Sequence, residues 1–243
     1  LTPSIPLPAS ETDEFAFAVT FVLFEGKMRG LFSLLFGTGL ALFIERSEAA
    51  GRHGELLQLR RLGWLILFGA LHYYLLWWGD ILFTYGAIGI IAMMMRELNP
   101  VALVRIAIAV LVLSHLGKMA LSLPDIIVDE AVRVGTATPA EIRAHEEFLT
   151  AVGSTAMQDL AAISGGWIGE VTAKLRDDPF RPLIGLVDGL GETLPLMLLG
   201  GVLFDSRFFT GGWDRRRLTV VAVSCTLAGI VLTILLLAWV WPR

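Results

Sequence analysis

The sequence predicts an all-α protein, a polytopic membrane helical bundle of about six transmembrane helices with one extramembrane helical insert. Three observations predict it. Hydrophobic residues make up 55% of the 243-residue chain and charged residues 17%, with a mean hydropathy of +0.70, far from the balance of a soluble domain. The apolar residues fall in long runs, and a hydrocarbon core about 30 Å thick needs roughly 17 to 25 apolar residues per crossing. Arginines gather in the short segments between the runs, where they retain loops on the cytoplasmic side.

The elements follow in order. Residues 1–10 hold three prolines and form an extended lead-in; FAFAVTFVLF, residues 15–24, is too short to cross alone and is expected as an interfacial helix. Glu25, Lys27 and Arg29 precede the first crossing, residues 30–44, in which Gly37 and Gly39 allow a neighbouring helix to approach closely. A polar, helix-prone stretch runs from Glu45 to Arg61. The central feature follows, RRLGWLILFGALHYYLLWWGDILFTYGAIG, residues 60–89. About 17 mostly apolar residues, a break at Gly79-Asp80 and about 15 more up to Arg96 read as a membrane helical hairpin, crossings two and three. Pro100 suits the first turn of a fourth crossing, which is expected to end at Pro124. Residues 124–181 form the long polar segment, with amphipathic patterns at 140–152 and 168–175 separated by Ser164-Gly165-Gly166. Crossing five lies within 183–209 and crossing six within 218–241.

The expected organisation is therefore a lead-in and interfacial helix over 1–29, a four-helix transmembrane region over 30–123, a periplasmic helical insert over 124–181 and two further transmembrane helices over 182–243. Arg46, Arg52, Arg60, Arg61, Arg96, Arg105, Arg207 and Arg215 to Arg217 then share the cytoplasmic side, and the Gly79-Asp80 turn and the insert face outward. In a bacterium this is a multi-pass protein of the inner membrane. Trp77, Trp78, Trp213 and Trp241 lie near crossing ends, as an aromatic belt requires.

Net charge is −4, which leaves no basic surface for nucleic acid. Membrane lipids are the expected partners, and oligomeric state is not readable. The lone Cys225, in an apolar run, permits no intramolecular disulfide. No metal-ligand spacing, phosphate loop or nucleophile elbow occurs, so no metal and no bound cofactor are expected.

Chemistry concentrates at one depth. Lys27, Arg29, Asp80, His115, Lys118, Asp188 and Glu192 all fall toward the outer ends of their crossings, and His72 lies about 9 Å deeper than Trp78 at 1.5 Å per residue. An ionisable group inside a span is costly to bury and is a functional-site hypothesis by default. His72 serves as a general base toward a hydroxyl if Asp80, Asp188 or Glu192 orients its other nitrogen; the alternative is a histidine hydrogen-bonded between helices. Asp188 and Glu192, four apart, share a helix face, so either one holds its proton or both meet Lys27, Arg29 or Lys118. Pro195 frees the Gly191 carbonyl, which kinks the helix or exposes an acceptor. Lys27 and Arg29 either snorkel to the interface or neutralise an anionic substrate.

Two of these stretches, GKMRGLFSLLFGTGLAL at 26–42 and the hairpin at 60–89, resemble the signatures of the YeiB-like family of bacterial inner-membrane proteins. Lys27, Arg29, Leu31, Phe32 and Ser33 match the first, with Met28 departing; Arg60, Arg61, Gly69, His72, Trp78, Gly79, Asp80, Ile81, Leu82 and Tyr85 match the second. LMLLGGVLF near residue 200 is a looser match. Members of that family begin with a helix carrying an Asp and an Arg-Gly pair and continue beyond the region where this chain stops, so the resemblance implies a piece of a longer protein. The family is distantly similar to transmembrane acyltransferases, which implies acyl-CoA as donor substrate and an envelope glycan or lipid as acceptor. On that reading His72, Asp80 and Glu192 are the catalytic candidates, with Lys27, Arg29, Asp188 and Tyr85 binding substrate. The rival is a transporter or channel-like component in which Asp188, Glu192 and His72 line a proton or solute path.

Overall fold

In the computed structural model the described residues are Ala16, Val19, Thr20, 26–77, 79–164 and 166–240, with backbone alone for 152–164 and 236–240. The expected interfacial helix at 15–24 falls mostly outside them. The described chain is helical without strands. Its long helices are α1 (Lys27–Ala49), α2 (Gly54–Leu75), α3 (Leu82–Met95), α4 (Pro100–Val134), α5 (Pro139–Ser164), α6 (Gly166–Asp177), α7 (Arg181–Asp205) and α8 (Arg215–Val240), with one turn of tighter helix at Phe208–Thr210.

Local chemistry sets several of these boundaries. Asn99 begins α4 by accepting the Val101 N–H at 2.8 Å, with Pro100 in the first turn, where its missing N–H costs nothing. The expected stop at Pro124 is not where α4 ends. A proline removes one helix hydrogen bond and crowds the carbonyl four residues back, yet the helix carries Pro124 in its interior and runs to Val134. It stops where Gly135 adopts a left-handed φ of 74°. Thr136 N–H there returns to the Ala131 carbonyl at 2.9 Å, satisfying a helix-end acceptor. Thr138 and Glu141 form a reciprocal capping box at the start of α5.

Four described helices are long and apolar enough to cross a membrane: Lys27–Ala49, Pro100–Val134, Arg181–Asp205 and Arg215–Leu235. The two halves of the hairpin differ from expectation. Glu55, Arg60 and Arg61 lie in the first two turns of α2, and α3 has 14 residues, about 21 Å at 1.5 Å per residue. Nonetheless they pack as a hairpin. A Cβ on Gly69 would lie 2.1 Å from the Phe83 nitrogen, so only glycine lets the start of α3 approach α2 so closely.

The core lies where α1, α2, α3, α4 and α7 meet, around Leu40, Leu62, Ile88, Ala107, Met197 and Leu198. α7 is its axis, with 39% of its most apolar stretch buried, against 11% for α4 and none for α8. Two glycines make the α1–α7 crossing close. A Cβ on Gly37 would lie 2.0 Å from the Met197 carbonyl oxygen, and one on Gly200 2.0 Å from that of Leu34. Thr38 Oγ1 then donates across the crossing to the Gly200 carbonyl at 3.0 Å.

Candidate functional site

The start of α3 builds the centre of the site. Asp80 precedes the helix, and its Oδ2 accepts the Phe83 N–H at 2.9 Å, a cap that stabilises the exposed donors of the first turn. With one oxygen thus held, Oδ1 lies 3.0 Å from His72 Nδ1 on α2, and the Asp80 side chain is 2% exposed against 33% for His72. Neither atom makes an aligned hydrogen bond elsewhere or with the other, so the two are in close contact without a formed hydrogen bond. Gly69, one turn before His72, makes room: a Cβ there would meet Asp80 Oδ2 at 2.9 Å. The edge of the His72 ring meets Trp77, with centroids 6.4 Å apart.

Beside Asp80 a cavity of about 310 Å³ is lined by Tyr73, Thr84, Asp178, Arg181 and Asp188. One wall is the turn between α6 and α7. Tyr73 donates to the Asp178 carbonyl at 2.9 Å and Tyr74 to the Pro179 carbonyl at 2.5 Å. Trp167 Nε1 on α6 donates to the Leu75 carbonyl at the end of α2. Lys174 is buried, 8% exposed and 2.7 Å from Glu170. The turn between α6 and α7, and α6 itself, are therefore fastened to the C-terminal end of α2.

The two carboxylates of α7 meet separate cations. Asp188 lies 3.2 Å from Lys118 on α4. Glu192, one turn further along, takes Arg29 with both oxygens at 2.8 Å and makes no ion pair with His72. Hence the carboxylate at His72 is Asp80. Tyr85, 3% exposed, is engaged by Ser33 Oγ at 2.6 Å and by the Arg29 carbonyl at 3.3 Å, which makes it a strut between α1 and α3 beneath the Arg29–Glu192 pair. Lys27 stands apart, its Nζ 3.5 Å from Thr233 Oγ1 on α8. His115 is exposed and bonded to the Leu111 carbonyl of its own helix at 2.7 Å.

Pro195 leaves the Gly191 carbonyl without its helical donor, and Ser114 Oγ on α4 supplies one at 2.8 Å. Sequence reading identified the freed acceptor and missed the donor. It also missed Tyr73, Asp178 and Arg181. For Tyr73 and Tyr74 a signal existed, two adjacent phenols at a helix end, each with a hydroxyl to satisfy. Ser33 was named only as a match to the first signature, and its bond to Tyr85 appears only once α1 and α3 are packed.

Among the described residues no group of three or more His, Cys, Asp or Glu side chains is arranged to hold a metal ion. What the arrangement offers is a half-buried imidazole 3.0 Å from a buried carboxylate, beside a small polar cavity, in a bundle that includes four described helices long and apolar enough to cross a membrane.

Over 152 residues, 63% of this chain, the sequence is 31% identical to "Uncharacterized protein YxaH" of Bacillus subtilis (strain 168), and the match covers 36% of that protein. Over 67 residues it is 39% identical to "Uncharacterized 39.9 kDa protein in amylase 3'region" of Bacillus acidopullulyticus, 28% of this chain and 19% of that one. The chain thus spans well under two thirds of the relatives it matches. No family model matches the chain. No solved structure matches it.

Proposed function

We propose that this chain is part of a YeiB-like protein of the bacterial inner membrane, a membrane-embedded acyltransferase-like enzyme acting on an envelope glycan or lipid. One observation carries the reading: His72 Nδ1 lies 3.0 Å from a carboxylate oxygen of the almost fully buried Asp80. A ring whose Nδ1–H donates a hydrogen bond to Asp80, keeping the proton, presents Nε2 as an unprotonated base. Nε2 takes the proton of an acceptor hydroxyl as its oxygen attacks the carbonyl of an acyl thioester. The carbon–sulfur bond breaks, the ester forms, and the imidazolium returns the proton to the departing thiolate. Acyl-CoA is the thioester donor in this scheme. Arg29, held by Glu192, and Lys27 are the cations that would meet an anionic part of donor or acceptor.

In this reading the chain crosses the membrane six times, the hairpin supplying the second and third crossings, and the Gly79-Asp80 turn and the insert face the periplasm. Comparing acyl groups on envelope lipids and polysaccharides between a deletion strain and strains expressing the full-length protein, wild type or His72→Gln, tests it. The His72→Gln strain should insert its protein normally and match the deletion in its acyl profile; a profile equal to wild type sinks the reading. A second reading, a proton or solute path, draws on the ion pairs that bind α7 to α1 and α4 at Glu192 and Asp188. It predicts gradient-dependent uptake into proteoliposomes with no covalent product.

A further inference from the structure

On the side of α1 and α2 away from α7, the two helices enclose a groove of about 640 Å³. Phe32, Leu35 and Phe36 line it from α1, and Trp64, Leu65 and Phe68 from α2. These are large apolar side chains left uncovered, Phe32 at 49% exposure, Trp64 at 50% and Phe68 at 56%. Gly39 and Arg61 close one end of the groove and also line an adjoining hollow of about 460 Å³ that carries Arg46, Arg52 and Ser47. The two spaces form one path, aromatic along its length and cationic at its mouth.

The charges at that mouth are uncompensated. Arg61 lies over the Phe43 ring at 4.0 Å and donates to Oε1 of the buried, neutral Gln58 at 3.0 Å. Among the described residues none of Arg46, Arg52 and Arg61 makes an ion pair. The acids at the same end of the bundle are turned elsewhere: Glu55 and Glu48 lie 3.1 and 3.8 Å from Arg96. Charge is thus sorted, with acids toward α3 and guanidinium groups toward the groove.

We infer that this groove binds one anionic phospholipid of the bilayer, with an acyl chain along the aromatic trough and the phosphate against Arg46, Arg52 and Arg61. Guanidinium groups match phosphate oxygens bidentately, and clusters of them beside a span attract anionic headgroups. A packed apolar helix, from this chain or a second copy, would fill the trough but leave three cations facing it without countercharge. Lipid that only surrounds the bundle would show no headgroup preference. The inference does not depend on catalysis by His72, although Phe68, the last residue of the trough on α2, is one helical turn from it.

The test is retention of dioleoylphosphatidylglycerol, against dioleoylphosphatidylcholine, by the full 243-residue chain in detergent micelles, followed by native mass spectrometry. One phosphatidylglycerol should be retained, with phosphatidylcholine bound roughly a hundredfold more weakly, because its choline cation offsets the phosphate and cancels an attraction of about fivefold for each of three basic residues. Arg46→Gln/Arg52→Gln/Arg61→Gln should weaken phosphatidylglycerol by the same roughly hundredfold. Gly39→Phe should abolish retention by filling the trough. A Cβ at that position meets no atom within 4 Å, so the fold has room for it. Equal retention of the two lipids, no retention of either, or phosphatidylglycerol binding unchanged in the variants overturns the inference. If Gly39→Phe does not fold, the triple arginine variant decides alone.

Discussion

Asp80 has two tasks, one per oxygen, and a single substitution separates them. Asparagine caps a helix about as well as aspartate, so Asp80→Asn should keep the Phe83 N–H satisfied and leave stability close to wild type. The charge facing His72 is lost. If the imidazole is the base, Asp80→Asn and His72→Gln should each lower acyl transfer by about 10²- to 10⁴-fold with helical content unchanged by circular dichroism. Activity that survives in both would reduce the pair to a structural contact. Ser114 offers a prediction of stability alone. Its hydroxyl is the donor to the carbonyl that Pro195 frees, and the site is part-buried. Ser114→Ala should therefore cost about 1–3 kcal/mol, read as a lower unfolding midpoint in detergent. Of the residue-level picture, the sequence located His72, Asp80 and the Asp188–Glu192 stripe, because an ionisable group in an apolar run stands out. It did not say which acid serves His72. Asp80, Asp188 and Glu192 are equivalent until the helices are packed, and only then do Arg29 and Lys118 claim the latter two.

At the scale of elements, glycine separates close crossings from open ones. Gly37→Ala and Gly200→Ala place a methyl about 2 Å from backbone carbonyl oxygens across the α1–α7 crossing, and the helices must part. Each should destabilise the bundle by about 1–3 kcal/mol, the usual cost of overpacking. Gly201→Ala, next along the chain, meets nothing within 4 Å and should be neutral or stabilising by up to about 1 kcal/mol, the helix-propensity difference. Unfolding midpoints of the three variants check the contrast. Gly69→Ala should act where the hairpin closes, moving Phe83 and Asp80 away from His72, so it should break the His72–Asp80 contact as well as lower stability. Outside the membrane-spanning helices, the capping box of α5 is sensitive to pH. The Thr138 N–H and then its hydroxyl hold the Glu141 carboxyl below the usual glutamate range. A depressed carboxylate pKa contributes stability that is fully present above the unfolded value and is lost as pH falls through the folded one. Amide exchange at the start of α5 should accordingly quicken, relative to the same helix's middle, as the solution is acidified through that range. A protection ratio independent of pH there would contradict the cap.

At the scale of the whole molecule, the arginine pattern makes a prediction that holds for either path of the hairpin. Whether α2 and α3 each cross or only enter and return together, they leave the chain on the side where they found it. Single cysteines at Arg52, Glu97 and Arg215 should thus label from one side and a cysteine at Thr136 from the other, in a Cys225→Ser background in intact and opened cells. Gly79 alone discriminates: labelling from the Thr136 side means two crossings, and protection from both sides means a re-entrant pair. α8 contributes little to the bundle, with its most apolar stretch unburied. Its apolar surface is suited to lipid or to further helices.

The sequence by itself determined that this is an all-helical chain built for a low-dielectric solvent, and which ionisable residues are out of place in it. Those are local properties, written in run length and charge placement, and they need no neighbour to be legible. Only the tertiary structure decided that Asp80 answers His72 and that Glu192 answers Arg29. It also decided that Pro124 is absorbed within a helix, and that three arginines face an aromatic groove while the nearby acids turn to Arg96. Each of these depends on which helix faces lie together. That is set by backbone approach at Gly37, Gly69 and Gly200, a condition among distant parts of the chain that no run of neighbouring residues records.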